Sequence, residues 1–169
     1  MLRRNVLKLF VLTGLGLVLP LGNAVAQQKS LKEQLVGTWT YVSSTAKLPD
    51  GSPLWGPDPK SLLIFTENGR FSWQVFRSDR PKIASNNRRN ATSEENKAIM
   101  QGSLAYFGTY LVNEADKTLV SRIEGATFPN AEGEEQKRII TRLTADELIY
   151  MNPETTLGAR VEAVWKRVK

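Results

Sequence analysis

Hydrophobic residues fall in short runs along the 169-residue chain, mostly alternating with polar ones and separated by turn-forming clusters. Val36 to Ser43, Leu62 to Thr66, Phe71 to Arg77, Leu104 to Asn113, Thr118 to Phe128, Gln136 to Leu143, Glu147 to Met151 and Arg160 to Val168 each have the length and the β-branched and aromatic content of a strand. Between them lie residues that cannot extend a sheet ladder. Glu67-Asn68-Gly69-Arg70 carries an Asn-Gly pair, which favours the positive φ values of a tight hairpin. Glu114 to Lys117, Pro129 to Gly133 and Thr144 to Asp146 make three further turns, and the four prolines and two glycines of Leu48 to Pro59 demand a surface loop. About eight strands of this kind, with most neighbours in sequence also expected to be neighbours in space, predict an all-β, up-and-down antiparallel barrel.

Two segments depart from the strand pattern. Gln27 to Gln34 is polar, and Leu31 and Leu35 are spaced four apart, which suits one or two helical turns over a barrel end. From Ser78 to Gly102 the alternation stops. After loop-forming residues through Asn90, Thr92-Ser93-Glu94-Glu95 forms a capping box, in which the Thr oxygen and the Glu three residues on satisfy free helix amides. A helix over 93–101 is expected, and an excursion of this length between strands suggests a lid or a plug, here read as a helix covering the barrel opening.

The first 26 residues read differently from the rest. Arg3, Arg4 and Lys8 precede an apolar run from Leu9 to Leu21, and Ala24-Val25-Ala26 follows. These are the three parts of a secretory signal peptide cleaved after Ala26. A membrane anchor would need roughly 20 apolar residues, and this run is shorter and interrupted by Gly14, Gly16 and Pro20. Arg3-Arg4-Asn5-Val6-Leu7-Lys8 also resembles a twin-arginine signal for export of folded proteins from a bacterial cytoplasm. The expected mature domain, 27–169, is long enough for one core, and its net charge is +3 rather than the full chain's +6. A monomer in the periplasm, or secreted, is the expectation.

Composition narrows the chemistry. Without histidine or cysteine there is no Ser-His-Asp triad, no thiolate nucleophile, no disulfide and no ordinary zinc site, and no metal or cofactor is expected. Basic residues are scattered rather than gathered with aromatics, so nucleic acid is not an expected partner.

Gly37-Thr38-Trp39 opens the first strand, and Ala163-Val164-Trp165-Lys166-Arg167-Val168 forms the last. A Gly-x-Trp at the head of a first strand, with an Arg on the closing strand able to lie across the indole, resembles the start and end of a lipocalin barrel. Leu35 to Trp39, Asp50-Gly51 with Gly56-Pro57, Leu62 to Thr66, Asn68 to Val75, Arg77 to Lys82, Ala105 to Tyr110, Glu124 with Phe128-Pro129-Asn130, and Gln136 to Arg138 together resemble the bacterial lipocalin-like domain proteins in order and over nearly the whole mature length. The resemblance implies a closed barrel with an internal cavity, a helix in the middle excursion and structural roles for Gly37, Trp39, Trp165 and Arg167. Gly37 is then expected to let another backbone segment pass close by. The resemblance implies no single activity, and where the family often carries histidine this chain has Ser121-Arg122.

Candidate site residues come from strand register. A hairpin centred near Ala131 sets Glu124 opposite Arg138, and one centred near Ala115 sets Tyr106 opposite Glu124, so the three would share one face, with Tyr110 at the same parity. If that face is inward, a carboxylate held by an arginine and a phenol awaits a ligand's polar group; if outward, it is a surface salt-bridge ladder. Gln74, Arg77 and Gln136 join Tyr106, Tyr110, Glu124 and Arg138 as candidate ligand-binding residues. Arg77, Arg80, Arg88 and Arg89 form either an anion-gathering set or a solvated loop, and Trp55 and Trp73 belong either to the cavity mouth or to core and rim packing.

Three functions follow from these readings. One is a barrel binding a small, largely apolar or amphipathic molecule. Another is a cavity enzyme of the isomerase, cyclase or hydrolytic kind with Glu124 as general base. The third is a structural or inhibitory barrel filled by its own side chains.

Overall fold

The computed structural model describes residues 29–155 and 158–169, so the signal segment lies outside the described residues. Eight strands, β1 (Gly37–Ser44), β2 (Lys60–Phe65), β3 (Arg70–Phe76), β4 (Ser103–Asn113), β5 (Thr118–Ala126), β6 (Glu135–Leu143), β7 (Glu147–Asn152) and β8 (Val161–Arg167), form a closed barrel. Each pairs antiparallel with the next, and β8 pairs antiparallel with β1. Among the described residues two helices, α1 (Leu31–Leu35) and α2 (Ser93–Gln101), complete the regular structure together with two short 3₁₀ turns. Among the described residues no helix is long and apolar enough to cross a membrane.

The period-two pattern fills the barrel. Phe71, Trp73 and Val75 on β3, Leu119, Ser121 and Ile123 on β5, and Leu148 and Tyr150 on β7 are buried, while most of their sequence neighbours are at least partly accessible. At the hairpin between β2 and β3 only Gly69 takes a positive φ, of 79°. The turn is therefore a three-residue loop with glycine in the left-handed position, since Thr66 and Arg70 are already hydrogen-bonded to each other.

α1 closes one end. Its capping box joins Ser30 and Glu33, and its first amides, Leu31 and Lys32, donate to the Glu114 carboxylate in the β4–β5 turn at 2.9 and 3.2 Å. Trp39 beneath it is 0 % exposed, and its indole N–H donates to the Leu35 carbonyl at 2.9 Å. The Arg167 guanidinium lies 3.9 Å over the Trp39 ring and donates to the carbonyls of Ala145, Val36 and Gln34 at 2.5, 2.8 and 2.6 Å. Gly37 has φ 132°, and a Cβ there would stand 2.5 Å from Arg167 Nη1. What passes close to this glycine is thus a side chain, where a backbone segment was expected.

α2 forms where the capping box places it, with Thr92 accepting from the Glu95 amide, yet it is no lid. None of its residues is buried, and Met100 is exposed. Its apolar residues Ala98, Ile99 and Met100 are consecutive rather than spaced three and four apart, so they make no stripe able to seat on the opening. The excursion is instead pinned outside the barrel by Arg80, which lies 4.7 Å over the Phe76 ring and donates to Ser103 Oγ at 2.8 Å and to the Arg77 carbonyl at 2.9 Å.

Candidate functional site

Opposite α1 the barrel is hollow. A cavity of about 660 Å³ opens between the β1–β2, β5–β6 and β7–β8 connections. Aromatic rings make its walls. Trp73 stacks on Tyr106 with ring centres 4.9 Å apart and planes 11° from parallel, and Trp55, from the proline-rich loop, leans on Trp73 at 5.9 Å. Tyr41 meets Trp165 edge-on at 5.5 Å, and Tyr150 stacks near Trp165 at 6.3 Å. Exposed Glu134, Glu135, Lys137 and Glu154 stand at the rim.

Arg138, 8 % exposed, is the buried charged residue of the lining. Its Nη2 donates to the Tyr106 hydroxyl at 3.3 Å and to Gln136 Oε1, and its Nη1 donates to the Lys137 carbonyl at 3.0 Å and reaches Asn152 Oδ1 at 3.5 Å. The guanidinium carbon lies 5.6 Å over the Tyr150 ring. On the far side of Arg138 a void of about 10 Å³ lies among Leu63, Phe65, Phe71 and Leu119, room for one water at most.

Burial lowers the guanidinium's pKa, but the adjacent Tyr106 and Tyr150 outweigh it, so the net direction is upward and Arg138 is a cation at ordinary pH. Burial pushes the Tyr106 phenol well above the usual tyrosine range, with the Arg138 charge a smaller opposing influence, so Tyr106 is neutral and keeps its proton.

The register sorts the candidate residues. β5 pairs with β6 through Leu119↔Arg138 and Ser121↔Gln136, five residues away from the predicted alignment, because the 3₁₀ turn at Pro129–Ala131 centres the hairpin earlier than Ala131. On the other side Tyr106 faces Ala126, and the ladder shifts between Phe107 and Gly108, opposite Glu124. Gly108 makes that bulge possible: a Cβ there would stand 1.9 Å from the Arg122 carbonyl oxygen. Odd-sized errors turn a side chain to the other face. Glu124 therefore points outward, paired to Arg70 at 2.8 Å with side chains 39 % and 44 % exposed, and the expected contact with Arg138 does not form. As the base of a cavity enzyme it is on the wrong side of the wall.

Tyr106, Gln136 and Arg138 do come together at the cavity. Tyr110 shares their inward orientation but sits deeper, edge-on to Phe65 at 4.9 Å, and its hydroxyl donates to the Thr66 carbonyl at 2.8 Å, so it packs the barrel rather than lining the cavity. Gln74 sits on the outer face, donating to Ser72 Oγ at 3.0 Å. Arg77 pairs with Asp79 at 2.6 Å and donates to the Leu54 carbonyl at 3.1 Å, and so braces the loop that carries Trp55. Both Trp55 and Trp73 line the cavity, as does Trp165. Tyr41 and Tyr150 were not among the candidates; their signal was parity, since Tyr150 shares that of buried Leu148, and Tyr41 that of Trp39. Among the described residues no three acidic, His or Cys side chains gather to hold a metal.

No curated protein matches the chain. Among solved structures, a lipocalin-like protein from Bacteroides uniformis is similar at 15 % identity and TM-score 0.43, covering 80 % of this chain and 99 % of that one. Bovine odorant-binding protein in complex with undecanal is similar at 18 % identity and TM-score 0.40, covering 84 % and 76 %. The same bovine protein with a selenium-containing odorant gives 15 % identity and TM-score 0.41, covering 85 % and 76 %. A family profile described as a lipocalin-like domain matches residues 36–168, from the first strand to the last, and with the closed eight-stranded barrel it establishes that the chain belongs to the lipocalin-like domain family.

Proposed function

We propose that this is an exported, monomeric binding protein that holds a small, largely apolar molecule in its barrel cavity. The cavity itself carries the reading. At about 660 Å³ it falls within the size range of small-molecule sites, and its walls are largely aromatic with a limited number of polar groups among them. A barrel serving only as a scaffold has no use for that space, since an unfilled interior forfeits packing. Export rests on the Arg3-to-Ala26 segment: mass spectrometry of the exported form should find a chain beginning at Gln27, and an uncleaved chain would contradict it.

Native mass spectrometry of the protein as purified tests the binding reading, followed by titration with the neutral apolar dye N-phenyl-1-naphthylamine. Trp55, Trp73 and Trp165 line the cavity, so entry of the dye should quench their emission saturably at one site per chain. Absence of both a co-purified small molecule and saturable dye binding would overturn the proposal.

A further inference from the structure

The polar groups of the cavity are unbalanced in one direction. Arg138 is a buried cation, and among the described residues it makes no ion pair; its acceptors are a phenol oxygen, two side-chain amide oxygens and a backbone carbonyl, all uncharged. A buried charge ordinarily has a partner of opposite sign. The two phenols beside it are committed as acceptors. Tyr106 receives the Arg138 Nη2–H, and Tyr150 receives the Trp73 indole N–H at 3.2 Å. Each phenol therefore has its own hydrogen left to give, and among the described residues neither finds an acceptor.

Resting on the binding reading, we propose that the ligand is a hydrophobic monocarboxylate whose head group is seated on Arg138, Tyr106 and Tyr150. A carboxylate is acceptor-only, planar and singly charged, which is the complement of a guanidinium flanked by two O–H donors. Gln136 and Asn152 now offer the guanidinium neutral carbonyl oxygens from side chains able to rotate; the ligand's oxygens take over from them at the cavity side. Beyond the head the walls are mainly the rings of Trp73, Trp165, Trp55 and Tyr41; the Trp165 indole N–H is buried without a partner among the described residues, and the Tyr41 hydroxyl is taken up by Ser44 Oγ at 2.8 Å. At the rim Glu134, Glu135 and Glu154 outnumber Lys137, so a second negative charge at the ligand's outer end is disfavoured. These rim charges are exposed and screened by solvent, which leaves Arg138 as the dominant charge within the cavity. One anionic head and a largely apolar body suits both regions.

Three probes of equal chain length separate the charge from the hydrocarbon: decanoate, decanol and decylamine, each measured by displacement of N-phenyl-1-naphthylamine. The wild-type chain should bind decanoate roughly tenfold or more tightly than decanol, the worth of a charge-assisted hydrogen bond, and decylamine most weakly. Arg138→Met should bring the decanoate-to-decanol ratio to within about twofold of one, and Arg138→Lys, which keeps the charge but loses the fork, should retain part of it. Tyr106→Phe should lower the ratio by a few-fold, and Glu124→Gln, on the outer wall, should leave it unchanged. Circular dichroism shows whether each variant is folded. If the dye binds while decanoate and decanol bind equally, cavity water serves the guanidinium and the carboxylate assignment falls alone. If the dye does not bind at all, the assignment falls together with the binding reading.

Discussion

Two arginines mark the two ends of this barrel, and they are provided for in opposite ways. Arg167 at the closed end has three backbone carbonyls within 2.5 to 2.8 Å and an indole face beneath it; each of its partners is fixed by α1 or by the β6–β7 turn. Arg138 beside the open cavity has side-chain amides, a phenol and one carbonyl, and among the described residues no partner bearing charge. One guanidinium ties helix, first strand and β6–β7 turn into a plug. The other stands in a space the fold leaves unfilled. Fold stability should therefore concentrate at the Trp39 end, and ligand selection at the Arg138 end.

Substitutions at the closed end should have the largest effects. Trp39→Ala removes a fully buried indole, its hydrogen bond to Leu35 and the platform for Arg167, and should destabilise the barrel by about 3–5 kcal/mol in urea titrations. Trp55→Ala removes an indole of the same size that borders the cavity, where no sealed void is left behind, and should cost only about 1–2 kcal/mol. Equal losses at the two tryptophans would erase the distinction between the ends.

Alkaline pH offers a second way to sharpen it. Burial raises the pKa of Tyr106, and also those of Tyr41 and Tyr110, above the value near 10 of an unfolded chain. The folded state thus holds these protons more tightly than the unfolded one. Stability is fully present below pH about 10 and falls as pH rises through the unfolded toward the folded values. Urea midpoints between pH 9 and 12 should decline, and Tyr106→Phe should flatten part of that decline. A profile identical to wild type would mean that the Tyr106 phenol is not desolvated. Smallest of all, Glu124→Gln should change stability by about 0–1 kcal/mol, because its pair with Arg70 is solvated on the outer wall. A loss of several kcal/mol there would put the carboxylate back inside.

The closed end was the legible part of the sequence. Gly37, Trp39 and Arg167 announce themselves through residue type at the chain's first and last strands, and the Thr92 capping box is local, so neither needs a register to be known. The site depends on register. Placing Arg138 and Glu124 requires knowing how many residues the Phe128-to-Gly133 connection consumes and that Gly108 admits a bulge opposite Glu124. Nothing in residue type reveals a one-residue bulge, and one residue is enough to carry Glu124 through the wall. Tyr106, Gln136 and Arg138 were placed together because parity within one strand, and across the β4 and β6 walls, survived two errors that both fell on β5. The lid failed for a different reason: a capping box fixes where a helix starts, and says nothing of what its faces will touch.

The contrast between the two arginines is tested most directly by one paired denaturation experiment, Arg167→Met beside Arg138→Met. Arg167→Met leaves the Gln34, Val36 and Ala145 carbonyls without their donor and should lose about 2–3 kcal/mol. Arg138→Met exchanges a buried charge without a counter-charge for an apolar chain of similar reach, and should be neutral or more stable by about 1 kcal/mol or more. Equal destabilisation by the two would show that Arg138 also holds the barrel together, and would contradict the assignment of the open end to ligand.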